Sequence, residues 1–292
     1  MPTLQTTRKI GFVTSAEHRS LVADDLVLAT ALERRGTRVV PVVWTEIAPQ
    51  ETGCDLLVLR SCWDYHLKPQ EFLSWVNDAH NHVRVTNSPE IIRWNMDKHY
   101  LSDLQAAGVV VPRTTVVEHG IHADLEALMN AEGLTDVVVK PTISASAFET
   151  YRVRREAAGS FNIKFNSLIS ERAMLVQEFV REIETGGEWS LIYLSGEFSH
   201  AVNKVPRTGD FRVQHEHGGQ YSAAVPPKEL QHTASAILSR FAPQALYCRA
   251  DMVLRAQGPT LMELELIEPL LHFELAPDAA ERMAELLIRY RR

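Results

Sequence analysis

Two rhythms of hydrophobic and polar positions run along this chain. In the first, short apolar runs alternate with a helical pattern. Residues 9–14 (KIGFVT) predict a strand, and residues 21–35 carry apolar side chains at helical spacing up to Gly36, where a glycine C-cap is expected. Residues 38–44 (RVVPVVW) and 55–60 (DLLVLR) predict two more buried strands. That order, with short turns, predicts a parallel α/β unit, whose ligands lie beyond the carboxyl ends of its strands. The segment directly after the third strand, Ser61-Cys62-Trp63-Asp64-Tyr65-His66, occupies that position and is dense in polar and aromatic groups.

The second rhythm is antiparallel. Ser88 and Pro89 open a helix as N-cap and first helical residue, and the helical pattern, interrupted near Asn95, continues to Gly108. Residues 136–141 (DVVVKP) form a β-branched run ending in a lysine and a proline. Residues 175–180, 188–194 and 197–204 predict antiparallel strands, the last two joined at Ser195-Gly196. Residues 251–255 and 260–267 predict a further hairpin, and residues 277–292 a basic-ended amphipathic helix. The expected class is α/β, passing to α+β in the C-terminal part.

Composition narrows the class. Apolar residues at 45% and charged residues at 23% are ordinary for a folded protein and speak against intrinsic disorder. A length of 292 residues exceeds one mode-sized domain, so two or three subdomains are expected. The formal net charge of −7 gives no overall footprint for nucleic acid, and no apolar run is long enough to span a membrane. Neither is an expected partner. The polar start lacks the apolar stretch of a signal peptide. Three scattered cysteines, Cys54, Cys62 and Cys248, fit neither a zinc site nor a disulfide framework, which suits a reducing cytoplasm.

Candidate chemistry is concentrated in a few places. Glu263 and Glu265 are two apart on a predicted strand and so share a face, with Asp251 on the partner strand. If Asp251 pairs opposite either one, three carboxylates converge; a slip of one residue separates them. Converged carboxylates need a cation, and an oxygen-only donor set selects a hard ion such as Mg²⁺. The alternative is a solvated acidic face alternating with Met262, Leu264 and Leu266. Lys140, near the end of its Val-rich strand, is placed to hold a phosphate, and Lys98 in Asn95-Met96-Asp97-Lys98 is a second candidate. Either could instead reach into water. Arg212, in Gly209-Asp210-Phe211-Arg212 before Gly218-Gly219, offers a fixed cation to a transferring phosphate or an oxyanion, or else pairs with a carboxylate. Glu188, after Gly186-Gly187, either accepts ribose hydroxyls or simply opens a strand.

Taken in order, these segments resemble the ATP-grasp superfamily, in the branch of bacterial glutathione synthetase and RimK-like ligases. The resemblance covers residues 85–270 and rests on Asn95-Met96-Asp97-Lys98, Val138-Val139-Lys140-Pro141 and Val176-Gln177-Glu178-Phe179-Val180. It continues through Gly186-Gly187-Glu188-Trp189, the Arg212 motif, Asp251 and Met262-Glu263-Leu264-Glu265. It implies an ATP-grasp fold in three parts: an N-terminal parallel α/β substrate subdomain (residues 1–92), a central lid (93–180) and a C-terminal mixed-sheet catalytic subdomain (181–292). It further implies that Lys98 and Lys140 bind ATP phosphates and that the backbone of Gln177, Glu178, Phe179 and Val180 reads adenine. Glu188 would hold the ribose, and Arg212 would be the catalytic residue on the acyl phosphate. Asp251, Glu263 and Glu265 would bind two Mg²⁺ ions, for which Mn²⁺ substitutes. The chain departs from the family at Glu265, where asparagine is common, and in the loop 142–148, which lacks the usual glycines.

The implied reaction is phosphorylation of a carboxylate by ATP, followed by attack of an amine and release of ADP and phosphate. The acceptor pocket is expected where the first subdomain faces the ATP site. Candidates are Arg60, Ser61, Trp63, Asp64 and His66, with Glu268 opposite. Arg60, with no acidic residue after it until Asp64, is expected to pair with a substrate carboxylate. Trp63 and Tyr65 could equally be interface packing. Three readings stay open. One is a ligase of a small amino-acid-like substrate, including an intramolecular cyclo-ligase of antibiotic biosynthesis such as closes the ring of D-cycloserine. The others are a RimK-like peptide-tailoring ligase and a catalytically silent nucleotide-binding module. A homo-oligomer is compatible with each.

Overall fold

The computed structural model describes residues 8–207, 212–213 and 218–290. Gly209, Asp210 and Phe211 of the arginine motif, and Arg291 and Arg292 of the predicted last helix, lie outside the described residues.

The N-terminal part alternates β1 (Lys9–Thr14), α1 (Ala23–Glu33), β2 (Arg38–Val43), β3 (Leu56–Leu59), α2 (Pro69–His82) and β4 (Arg84–Thr86). Its strands form a parallel sheet in the order β2-β1-β3-β4. All four residues of β3 are buried, as expected of a central parallel strand covered on both faces. After α1, Gly36 takes φ +75° and its N–H donates to the Glu33 carbonyl at 2.9 Å, the left-handed C-terminal turn expected there. Helix α2 has no counterpart in the sequence reading; its buried Phe72, Val76 and Ala79 follow helical spacing.

The predicted helix up to Gly108 is two helices, α3 (Pro89–Met96) and α4 (Tyr100–Ala106). The chain breaks at Asp97, which is extended (φ −105°, ψ 123°). The break frees the Lys98 N–H to donate to the Thr142 carbonyl at 2.8 Å. Next come β5 (Thr114–Val117), α5 (Leu125–Ala131), β6 (Asp136–Pro141), β7 (Tyr151–Arg154), α6 (Arg155–Ile169) and β8 (Met174–Glu178), an antiparallel sheet ordered β5-β8-β6-β7. Val137, Val139 and Val176 pack with Leu125 and Met129 of α5 and Phe165 and Leu168 of α6. Strand alternation then turns Val138 and Lys140 to the other face.

After α7 (Glu182–Gly186), the strands β9 (Glu188–Leu194), β10 (Glu197–Val205), β11 (Gln220–Ala223), β12 (Tyr247–Arg255) and β13 (Gly258–Glu265) make a five-stranded antiparallel sheet ordered β11-β10-β9-β12-β13. The β9–β10 turn has positive φ at both Ser195 and Gly196, the primed geometry that suits strand twist. One face buries Leu191, Tyr193, Ala250, Met252, Leu261 and Leu264 against Leu230 and Ala234 of α8 (Lys228–Phe241) and against α4. The last helix, α9 (Pro277–Arg289), returns to the N-terminal sheet. Its Ala280, Met283 and Leu287 complete the core made by Ile10, Phe12, Leu28 and Leu32.

Candidate active site

The register of the β12–β13 hairpin decides the carboxylate question. Asp251 pairs with Glu263 and Arg249 with Glu265; the register then shifts, with Met262 as the extra residue of a bulge. Asp251 also pairs with Ser190 on β9, and Glu188 pairs with Lys204 on β10. Lys204, Glu188, Ser190, Asp251, Arg249, Glu263 and Glu265 therefore share one sheet face.

Charges on that face are interleaved. Lys204 Nζ lies 2.6 Å from Glu188 Oε1 and 3.2 Å from Asp251 Oδ1, and Arg249 lies 2.9 Å from Asp251 Oδ2 and also pairs with Glu265. Burial would raise the Asp251 pKa, but Arg249 and Lys204 outweigh it and hold the carboxyl well below its usual range. Glu265 goes the other way. Burial, helped by Asp251 and Glu263 and only partly opposed by Arg249, pushes it up to about 7. Lys98 Nζ sits 3.1 Å from Glu263 Oε1 and donates to the Ser144 carbonyl at 3.0 Å, linking this sheet to the loop after β6. Lys140 enters the same cavity from β6. Its burial lowers its pKa against the pull of Glu263.

The cavity, about 670 Å³, lies between the central and C-terminal sheets and reaches the N-terminal subdomain. Lys98, Lys140, Gln177, Glu188, Arg212, Asp251, Glu263 and Glu265 line it. Gln177 donates through its side chain to Thr114 Oγ1 at 2.9 Å. The side chains of Glu178 and Phe179 line a separate small cleft instead, Glu178 paired with Arg255 at 2.8 Å and Phe179 under the Arg152 guanidinium. The Glu178 and Phe179 N–H groups donate to Arg113 and Asp136 carbonyls. Val180 is buried in a small apolar cluster with Ile183, Val213 and Val253.

At the acceptor end the structure corrects two expectations. Arg60 is 2% exposed and does not line the cavity. Its guanidinium pairs with Asp25 at 2.7 Å and Asp24 at 3.2 Å, both on α1, and donates to the Pro269 carbonyl at 3.3 Å. The acids that engage it lie some 35 positions upstream, so inspection of the residues following it could not reveal them. Ser61 is likewise buried, its hydroxyl 2.8 Å from that of Thr14. Trp63, Asp64, His66 and Glu268 do line the cavity. Trp63 donates to the Glu268 carbonyl at 3.0 Å, and Asp64 accepts from the Trp44 indole at 2.7 Å. Tyr65 also lines the cavity, buried with its ring packed against Phe72. Burial, with Glu265 nearby, pushes Glu268 up to about 8.

Among the cavity residues that escape the sequence reading are Lys204, Arg249 and His272. Arg249 had a signal, since strand alternation puts it on the face of Asp251, whereas Lys204 comes opposite Glu188 only through the register shift between Phe198 and His200. His272, in a loop, had none.

Among the described residues, no three His, Cys, Asp or Glu side chains surround a common point as they stand, because each carboxylate turns to a basic partner. The donor chemistry fits a hard divalent cation nonetheless. The donors are oxygens on one face, and the raised Glu265 marks negative charge that a cation would relieve.

A parallel α/β sheet followed by two antiparallel sheets, with lysines, arginines and carboxylates converging on the cavity between them, is the architecture of ATP-grasp ligases. The chain belongs to that family, as the sequence resemblance indicated: residues 100–254 match the ATP-grasp domain of prokaryotic glutathione synthetase. It is an ATP-grasp ligase, and ligases of this family use ATP and Mg²⁺. Residues 10–87 match the N-terminal domain of D-cycloserine synthetase DcsG. The cycloserine biosynthesis protein DcsG of Streptomyces lavendulae is 30% identical over 261 residues, covering 84% of this chain and 86% of that one. Glutathione synthetase of Synechococcus elongatus is 28% identical over 167 residues, 56% of this chain and 49% of its own. The crystal structure of D-cycloserine synthetase DcsG superposes with a TM-score of 0.84 at 26% identity, covering 96% of this chain and 98% of that one. A RimK-domain ATP-grasp protein from Sphaerobacter thermophilus shares the fold at a TM-score of 0.71 and 19% identity, covering 96% and 99%.

Proposed function

We propose that the protein phosphorylates the carboxylate of a small amino-acid-like substrate with ATP and closes the acyl phosphate onto an amine of the same molecule. ADP and phosphate leave, and the product is a cyclic amide of antibiotic biosynthesis. The match of residues 10–87 to the N-terminal domain of D-cycloserine synthetase carries this reading. That region supplies Trp63, Asp64 and His66, the acceptor wall, whereas the ATP half serves ligases of many substrates.

In this reading Lys98 and Lys140 bind the ATP phosphates and the backbone around Gln177, Glu178, Phe179 and Val180 reads adenine. Among the described residues the Val180 N–H has no hydrogen-bond partner, which supports its use there. Glu188 exchanges Lys204 for the ribose, and Arg212 steadies the acyl phosphate. Asp251, Glu263 and Glu265 would hold two magnesium ions, or manganese in their place, which would neutralise phosphate charge. Trp63, Asp64, His66 and Glu268 surround the amine end. The chain's own work is positioning, charge compensation and exclusion of water by the loop 142–149.

The test is ADP and phosphate release with β-aminooxy-D-alanine, the acid obtained by opening the ring amide of D-cycloserine, beside other amino acids and dipeptides. Ring closure gives a product lighter than its substrate by one water. A product heavier than either reactant would replace the intramolecular reading with an intermolecular one. Glu263→Gln should abolish turnover with an unchanged circular dichroism spectrum; full activity in EDTA would sink the metal assignment.

A further inference from the structure

His272 has features that the ATP site does not use. It is 5% exposed, lines the cavity, and its Nε2 has no hydrogen-bond partner among the described residues. Buried polar atoms are nearly always paired, so an orphan on a residue of the cavity wall marks a ligand contact. The residue also stands at φ +57°, a left-handed conformation unfavourable for a non-glycine residue.

The neighbouring chain enforces that conformation. The Leu271 N–H donates to Asp24 Oδ2 at 3.1 Å and the Phe273 N–H to Asp24 Oδ1, while the Leu271 carbonyl lies 2.8 Å from His200 Nε2. Arg60 in turn holds Asp24. The ring packs edge-on against Tyr221 at 5.3 Å between centroids. Strain kept in place by bonds on both sides, at a cavity wall, is strain with a use.

We propose that His272 is a catalytic residue whose free Nε2 takes the proton shed by the attacking amine in the second half-reaction. This rests on the ligase reading above. The amine nitrogen forms the new C–N bond to the acyl carbon, and the C–O bond to phosphate breaks with its electron pair leaving on phosphate. The nitrogen gives one proton to Nε2, which passes it on to water once phosphate has departed. The groups that face the ring electrostatically are Arg249, Lys204, Asp251 and His200. Burial first, then Arg249 and Lys204, keeps the imidazole neutral, against the opposite pull of Asp251, and in the tautomer protonated at Nδ1 the Nε2 lone pair is available. Attachment to the acyl carbon makes the nitrogen acidic enough for a weak base to suffice.

The experiment compares wild type with His272→Asn, since asparagine tolerates the left-handed conformation and has no base. β-Aminooxy-D-alanine and MgATP are supplied with and without hydroxylamine, which captures acyl phosphates without a base. Cyclised product should fall about a hundredfold, while hydroxamate formation and the KM for ATP stay near wild type and thermal stability is retained. Equal loss of hydroxamate and cyclised product, or loss of neither, overturns the assignment. If wild type releases no ADP with this substrate, the ring-closing reading falls and the role of His272 falls with it.

Discussion

Arg60 shows how a side chain's role depends on partners that are remote in sequence. Its charge is neutralised inside the protein by Asp24 and Asp25, and through Pro269 and Asp24 it braces the segment bearing Glu268 and His272. Arg60→Ala leaves two buried carboxylates uncompensated and should cost about 3–5 kcal/mol. Thermal melts should show a large fall; an unchanged melting temperature with a raised acceptor KM would restore Arg60 to the binding site. Glu268 makes a second prediction. Its carboxyl ionises near 8 when folded against 4.5 as the ordinary value. Between those pH values the folded chain binds the extra proton, so stability falls as pH rises from 4.5 to 8. Glu268→Gln should flatten melting temperature against pH across that window, and an unaltered slope would show that the carboxyl does not carry the effect.

At the scale of elements, β13 bears two of the three candidate metal ligands yet is an edge strand. Its exposed backbone is covered by the break between α3 and α4. Asn95 donates to the Leu264 carbonyl at 2.7 Å and accepts from the Leu266 N–H at 2.8 Å, and the Tyr100 hydroxyl accepts from the Leu264 N–H at 2.9 Å. An amide side chain thus replaces a missing strand and fixes Glu263 and Glu265. Asn95→Ala should cost about 1–3 kcal/mol by leaving buried backbone groups unpaired. It should lower kcat more than it raises the KM for ATP; normal kinetics at reduced stability would limit Asn95 to structure. The loop after β6 is also unusual, with Ser146, Ala147 and Glu149 all left-handed without glycine. Phe148 against His66, and Arg172 against Glu149 at 2.6 Å, hold it over the cavity.

On the scale of the whole molecule, the cavity is assembled from all three parts of the chain, and opposed charges meet there. Lys98 and Lys140 come from the central region, Asp251, Glu263 and Glu265 from the C-terminal sheet, and Trp63 and His66 from the first sheet's loop. A nucleotide with its metal therefore binds only the assembled fold. A non-hydrolysable ATP analogue with Mg²⁺, at a hundredfold excess over its Kd, should add about 2.7 kcal/mol of stability. The analogue in EDTA should add much less, and equal thermal shifts in the two conditions would argue against a metal-dependent nucleotide site.

The sequence by itself determined the family and part of the elements, though neither α2 nor the break between α3 and α4. Residues 9–14, 136–141 and 188–194 are strands at those bounds because alternation and β-branched runs are local properties, and Gly36 ends its helix through local backbone geometry. Ordered motifs marked the ATP half because phosphates and metals demand particular residue types at fixed spacing. Register, pairing and burial were decided only in three dimensions. Whether Asp251 stands opposite Glu263 depends on a bulge at Met262, and whether Arg60 is free depends on a helix more than thirty residues away. His272 becomes visible only when the backbone bonds of Leu271 and Phe273 hold its ring at the cavity wall. Charges and hydrogen bonds act over ångströms of space, whatever the separation along the chain.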